Sequence, residues 1–299
     1  MLIRLGGNWL RASDVDRAVR AGGNPFASPV PVTFQVTSRT KMLLDACVRL
    51  LAYSNQIIAQ DIPVRLVFED GPAMGYLDRM GFFDHLAPEV EVSPDRPAVS
   101  GAHVFGGNNR GLVEICAIRP GMDAHDLISK LKETIGATCG ARTDFPQFED
   151  AMSTILSELI GNVYLHGGDG ATGHAAFQSY PASNKARVVV SDNGRGLMQT
   201  IRPALEARDP SYRDIRDIDL LVEMFRDGLS RFDDPSHGNG LKGCATKAIK
   251  YRATLDVRLR SQAVTLVPSG EAYLPNTAIL SSELPELAGT HIAFELSLV

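Results

Sequence analysis

Residues 147–166, QFEDAMSTILSELIGNVYLH, decide how this chain is read. The stretch predicts one long helix, and Gly167-Gly168-Asp169-Gly170 behind it is a strong stop signal. Within it Glu158 and Asn162 stand four apart, so they share a helical face one turn apart. An Asn inside a helix is mildly unfavourable. The surrounding Ile155, Leu156, Leu159 and Ile160 give the pair an apolar setting. A carboxylate beside a carboxamide suits a magnesium-triphosphate site. Asn162 can offer its carbonyl oxygen to a hard cation, and Glu158 can orient or deprotonate a water. Taken alone, the segment reads more simply as a solvated Glu and a capping Asn.

Three further segments join this one. HAAFQSYP (174–181) and KARVVVSDN (185–193) predict two strands joined by Pro181-Ala182-Ser183-Asn184, an antiparallel hairpin. The second strand runs into Asp192-Asn193-Gly194-Arg195-Gly196. An Asp ending a buried strand can accept a hydrogen bond from an exocyclic amine such as that of adenine. Gly194 and Gly196 allow close backbone approach. An ordinary strand-ending turn has the same D-N-G signature.

Gly238-Asn239-Gly240-Leu241-Lys242-Gly243 precedes a predicted helix, CATKAIKY (244–251). A glycine loop at a helix N-terminus gathers backbone N–H groups and the positive end of the dipole, an arrangement that binds phosphate. A flexible loop in front of a packed helix is the plainer alternative. The Walker A spacing is absent. A dinucleotide G-x-G-x-x-G is matched in spacing, but no parallel β-α-β unit with its acidic residue follows. Gly289-Thr290 opens the last predicted strand, THIAFELSL (290–298). Strands are also expected at 253–260 and near 263–267, and an amphipathic helix near 217–229.

The first half alternates β and α. PVTFQVT (31–37) and PVRLVFE (63–69) read as strands around a helix over 40–60, and a short helix ends near Gly81. This order favours parallel strands covered by helices. Residues 86–110 read as a connection, LVEICAI (112–118) as a further strand, and 123–136 as a helix. The expected division is 1–130 and 140–299.

Apolar residues make up 44% of the 299 and charged residues 22%, ordinary globular values with enough material for a sizeable core. The net charge of −5 does not indicate nucleic-acid binding, which needs a basic surface. Cys47, Cys116, Cys139 and Cys244 are dispersed, with no C-x-x-C pair, as suits a reducing compartment. No stretch has the signal of a secretory leader or the length of a membrane span. A soluble, cytoplasmic protein is expected.

Together, and in this order over about 145–299, the four segments resemble the GHKL superfamily of DNA gyrase, ninety-kilodalton heat-shock chaperones, histidine kinases and MutL proteins. The resemblance implies an ATP-binding Bergerat α/β sandwich, a mixed sheet with helices on one face. It implies that Asn162 coordinates Mg²⁺, that Asp192 hydrogen-bonds adenine, and that Gly194, Gly196 and Leu197 shape the base pocket. Gly238, Asn239, Gly240, Leu241, Lys242 and Gly243 wrap the phosphates, Thr290 supports Asp192, and Glu158 is the general base. The second glycine box departs from the common G-x-G-L-G-L by ending Leu241-Lys242-Gly243; Lys242 then either meets a phosphate or points to solvent. Residues 197–237 correspond to a mobile lid carrying Arg231 and His237, and His166 resembles an N-x-x-x-H extension. The first half resembles a STAS-type domain through its β-α-β-α order and Tyr76-Leu77-Asp78-Arg79-Met80-Gly81-Phe82-Phe83. The functions implied are an ATPase acting as a conformational switch, an anti-sigma-type serine/threonine kinase, or a binding module without turnover, with a protein partner or a homodimer. A histidine kinase is disfavoured, because no paired-helix segment with a phosphoacceptor His precedes the pocket.

Overall fold

A computed structural model describes residues 1–27, 29–167, 172–229, 239–276 and 283–299. In the first half β1 (Leu2–Leu5), α1 (Ala12–Gly22), β2 (Val32–Val36), α2 (Leu44–Ile58), β3 (Val64–Phe68), α3 (Pro72–Arg79), α4 (Phe82–His85), β4 (Glu91–Ser93) and α5 (Gly101–Phe105) follow one another. The four strands form a parallel sheet in sequential order, β1-β2-β3-β4. Buried and more exposed positions alternate along β1, β2 and β3, so one face of the sheet meets the core. Right-handed crossovers between sequential parallel strands return helices to the same face.

The second half contains β5 (Leu112–Ile118), α6 (Ala124–Cys139), α7 (Phe145–Gly167), β6 (Gly173–Tyr180), β7 (Lys185–Asp192), α8 (Leu197–Arg208), α9 (Asp217–Asp227), α10 (Asn239–Lys250), β8 (Thr254–Arg258), β9 (Ala263–Ser269), β10 (Ala272–Pro275) and β11 (His291–Ser297). The strands form one seven-stranded sheet in the order β10-β9-β8-β11-β7-β6-β5. The α/β class expected from sequence therefore holds. The expected hairpin over 174–193 is also present, with Tyr180 opposite Lys185.

Three expectations are corrected. Every strand pairing in the second sheet is antiparallel, so among the described residues this sheet is not mixed. The strand over 112–118, assigned by sequence to a domain ending at residue 130, pairs with β6, and α6 packs on α7. The unit that holds the second sheet thus starts near residue 112, and the stretch 86–110, read from sequence as a connection, instead holds β4 and α5 of the first half. Helices also cover both faces of this sheet rather than one. Val188, Val190, Ile292 and Phe294 face the helices of the second half. Ala176, Val189 and Ala293, partners in register across β6, β7 and β11, belong instead to the core of the first half.

The covering element on that second face is α2, which also packs on β3, α1 and α4. It is buried almost all round, including Asp45 and Arg49. A helix enclosed on all sides needs partners for any charge it carries. Asp45 Oδ1 accepts from Arg187 Nη1 at 2.6 Å, and Arg187 also pairs with Glu295. Arg49 pairs with Asp16, which also accepts from Tyr53 and Arg258. Two buried ion-pair networks therefore join the halves. No described helix is long and apolar enough to cross a membrane.

Candidate functional site

The sheet and α7 bring the first two sequence segments to one place. α7 packs on β7 and α10, with Glu158 against Gly240 of α10 and Asn162 beside Val190 and Leu241. Asn162 Nδ2 donates to Glu158 Oε1 at 3.4 Å, which leaves the Asn162 carbonyl oxygen as the acceptor a hard cation needs. Burial raises the Glu158 carboxyl above its ordinary range, and the bond from Asn162 partly opposes this.

Asp192 ends β7 with only 4% of its surface exposed. Its Oδ1 accepts from the Gly194 backbone N–H at 2.7 Å, and its own N–H donates to the Thr290 carbonyl at 3.0 Å. Burial pushes its pKa from 3.8 up to about 6, while backbone hydrogen bonds from Gly194, Thr290 and Gly196 pull the other way. Gly196 and Gly289 both hold positive φ, 80° and 90°, and their backbones touch. A Cβ on Gly289 would lie 1.7 Å from the Asp192 carbonyl oxygen. The D-x-G-x-G turn and the Gly289-Thr290 turn are thus locked together through bare backbone.

Thr290 sits beside Asp192, but its Oγ1 accepts from the Leu197 N–H at 2.8 Å. The hydroxyl therefore holds the first turn of α8, and Thr290 meets Asp192 through backbone rather than through the expected side-chain bond. Leu197 opens α8 directly after Gly196, inside the stretch read from sequence as lid.

Asn162, Asp192 and Thr290 line one cavity between α7, the sheet and α10. Leu159, Val163, Val190, Leu197, Leu241 and Ile292 supply its apolar walls. Apolar walls with a few convergent polar groups suit a flat heteroaromatic ring. The cavity has a volume of about 30 Å³, room for about one water. Anything as large as an aromatic ring would fit only if a wall moved.

The wall that closes it is α10. Sequence placed residues 240–243 in a loop ahead of a helix from 244; instead α10 starts at Asn239 and includes Gly240, Leu241, Lys242 and Gly243. Helix packing on α7 accounts for the difference, because Gly240 comes against Glu158. A Cβ there would sit 2.1 Å from the Glu158 carboxyl carbon. Leu241 faces the cavity. Lys242 is exposed and borders a separate groove of about 690 Å³ with Phe225, Arg226 and Lys250. It does not join Glu158 and Asp192. Gly238, Arg231 and His237 lie outside the described residues, as do the side chains of Asn239 and His166.

A much larger groove, about 740 Å³, runs past Pro31, Asn55, Asp61, Pro63 and Glu89, at the starts of the parallel strands. It contains none of the site residues and none of the carboxyl groups whose pKa burial has raised, so size does not make it the better site. The described residues hold no group of three or more His, Cys, Asp or Glu side chains able to bind a metal. A magnesium ion here would take Asn162 and oxygens from its ligand and from water, the usual manner of this ion with phosphates.

Sequence reasoning missed Ser191 and His291, which flank the site residues and hydrogen-bond to each other behind them. A polar residue before Asp192 and another after Thr290, both in apolar strands, were the available signal. It also missed Gln56, which contacts this region from α2 and carries no local signal at all. No family model, curated protein or solved structure matches the chain.

Proposed function

We propose that the chain binds ATP in a Bergerat-type pocket and hydrolyses it with Mg²⁺, using the cycle as a conformational switch. One observation carries this reading. Segments scattered over more than a hundred residues converge on one cavity, lined by Asn162, Asp192, Leu241 and Thr290, with Glu158 hydrogen-bonded to Asn162 behind its wall. Asp192 is a buried acceptor for an adenine amine, between walls that fit a ring. Glu158, whose burial raises its pKa and so makes it a stronger base than an ordinary carboxylate, is suited to take a proton from water. Bound magnesium would neutralise phosphate charge beside Asn162.

The closed cavity supports the switch. ATP displaces the first turn of α10 from Glu158, and opening α10 frees the carboxylate for water. The movement passes to a protein partner or a second copy of the chain. A cytoplasmic setting belongs to the same reading and agrees with four free thiols.

ATP binding and phosphate release, measured with Mg²⁺ on wild type, Glu158→Gln and Asp192→Ala, test the proposal. Turnover by wild type is expected. Glu158→Gln should keep binding and lose phosphate release by about a hundredfold or more. Asp192→Ala should lose binding. Wild-type binding without phosphate release would turn the reading toward phosphotransfer to a partner or binding alone. Absence of binding by wild type would end it.

A further inference from the structure

We infer that Gln56, on the first half's central helix, is a positioning residue for the proposed nucleotide site, holding Ala288 so that Gly289 and Thr290 stay pressed against Asp192. This rests on the ATP-binding reading and adds to it that the first half is part of the pocket's support.

The contacts are specific. The Ala288 N–H donates to Gln56 Oε1 at 2.7 Å, and Gln56 Nε2 donates to the Ala288 carbonyl at 3.1 Å. One half-buried amide side chain therefore satisfies both backbone groups of a single residue, as a neighbouring strand would. His291 Nε2 lies 3.0 Å from the same carbonyl. A carbonyl only accepts, so Nε2 carries the ring proton, and Nδ1 accepts from the Ser191 hydroxyl. Ser191 precedes Asp192, and Gly289 follows Ala288. The held residue is thus one peptide from the glycine that touches Asp192.

Other anchors act further back. Arg258 Nη2 donates to the Pro285 carbonyl at 2.6 Å, and the Leu287 N–H donates to the Arg260 carbonyl at 2.8 Å. They fix residues 285–287 to the β8–β9 side. Ala288 itself is held by Gln56 and His291. Without Gln56, the Gly289-Thr290 turn can lift from Asp192, Thr290 loosens its hold on Leu197, and water reaches the buried carboxylate. Coupling runs both ways by linkage, so nucleotide that presses on Thr290 also tightens the contact with α2.

A neighbour on the same helix supplies the control. Asn55 makes the same two kinds of bond, donating to the His85 carbonyl at 2.9 Å and accepting from the Ala87 N–H at 2.9 Å, both within the first half. Losing either clamp removes two hydrogen bonds, but only the Gln56 clamp holds the residue next to the Gly289-Thr290 turn.

The test compares full-length wild type, Gln56→Met, Gln56→Ala and Asn55→Ala by ATP titration from pH 5 to 8, with hydrogen exchange at Ala288 and Thr290. Wild type should bind. Both Gln56 variants should bind about tenfold more weakly, exchange faster at Ala288, and show their acid-side loss of affinity shifted below the wild-type midpoint near 6. Asn55→Ala should keep wild-type affinity and midpoint even if it melts earlier. If wild type binds and the Gln56 variants match it, or Asn55→Ala weakens binding equally, the positioning role is wrong while the pocket stands. If wild type does not bind, the pocket reading falls and takes this inference with it. Gln56→Met keeps the side chain's bulk, so the comparison survives if Gln56→Ala does not fold.

Discussion

Replacing Asp192 with Asn should make the protein more stable and its proposed site worse. Asp192 is buried beside a mainly apolar cavity, and burial lifts its pKa from 3.8 to about 6. One pKa unit corresponds to about 1.4 kcal/mol, so keeping this group ionised costs about 3 kcal/mol of folding stability at pH 8. The sign follows from proton uptake. The folded chain holds the proton more tightly than the unfolded chain, so stability falls as pH rises from about 4 and the full cost is present above about 6. At pH 5 about half of it has been incurred. Asn carries no charge and keeps an oxygen for the Gly194 N–H. Urea unfolding of wild type and Asp192→Asn at pH 5 and pH 8 should show a gain for the variant at both. The gain should reach at most about 3 kcal/mol at pH 8 and about half that at pH 5. Nucleotide affinity should drop about tenfold, because a neutral acceptor makes a weaker hydrogen bond than a charged one. Equal stability at pH 8, or a gain with no dependence on pH, would refute the argument that burying this charge is what the site costs the fold.

Other outcomes follow from the same geometry. ATP affinity of wild type should weaken as pH falls through about 6, as Asp192 takes up a proton, and Asp192→Asn should lose that dependence in the same titration. Gly240→Ala places a methyl where the Glu158 carboxyl now lies. That flexible side chain can swing away, and Ala favours a helix by about 1 kcal/mol. Calorimetry should therefore find stability kept, while phosphate release falls. Gly289→Ala should be far more harmful, because the methyl meets the Asp192 backbone at a φ of 90°. A loss of about 3 kcal/mol or more is expected in denaturant unfolding.

The parts of the site visible in sequence are those whose signal is local. Glu158 and Asn162 share a face because a helix repeats every 3.6 residues, whatever surrounds it. Asp192 ends a run of Val residues, and Gly194 and Gly196 mark the turn behind it. Gly240 to Gly243 show the opposite case. Glycine weakens a helix intrinsically, so the sequence reads as a loop. The helix forms there because α10 packs on α7, which brings Gly240 against Glu158. The strand over 112–118 was equally visible as a strand, but nothing in its residues names β6 as its partner.

By itself, then, the order of residues determined the periodic elements, the α/β class and the short motifs, since these depend on neighbours within a turn or two of chain. Tertiary structure alone decided that α2 is shared between the sheets, that Thr290 holds Leu197, that Lys242 faces a different groove, and that Gln56 reaches Ala288 across 232 positions. Such contacts are set by which surfaces find a complementary surface to bury, a property of the folded whole.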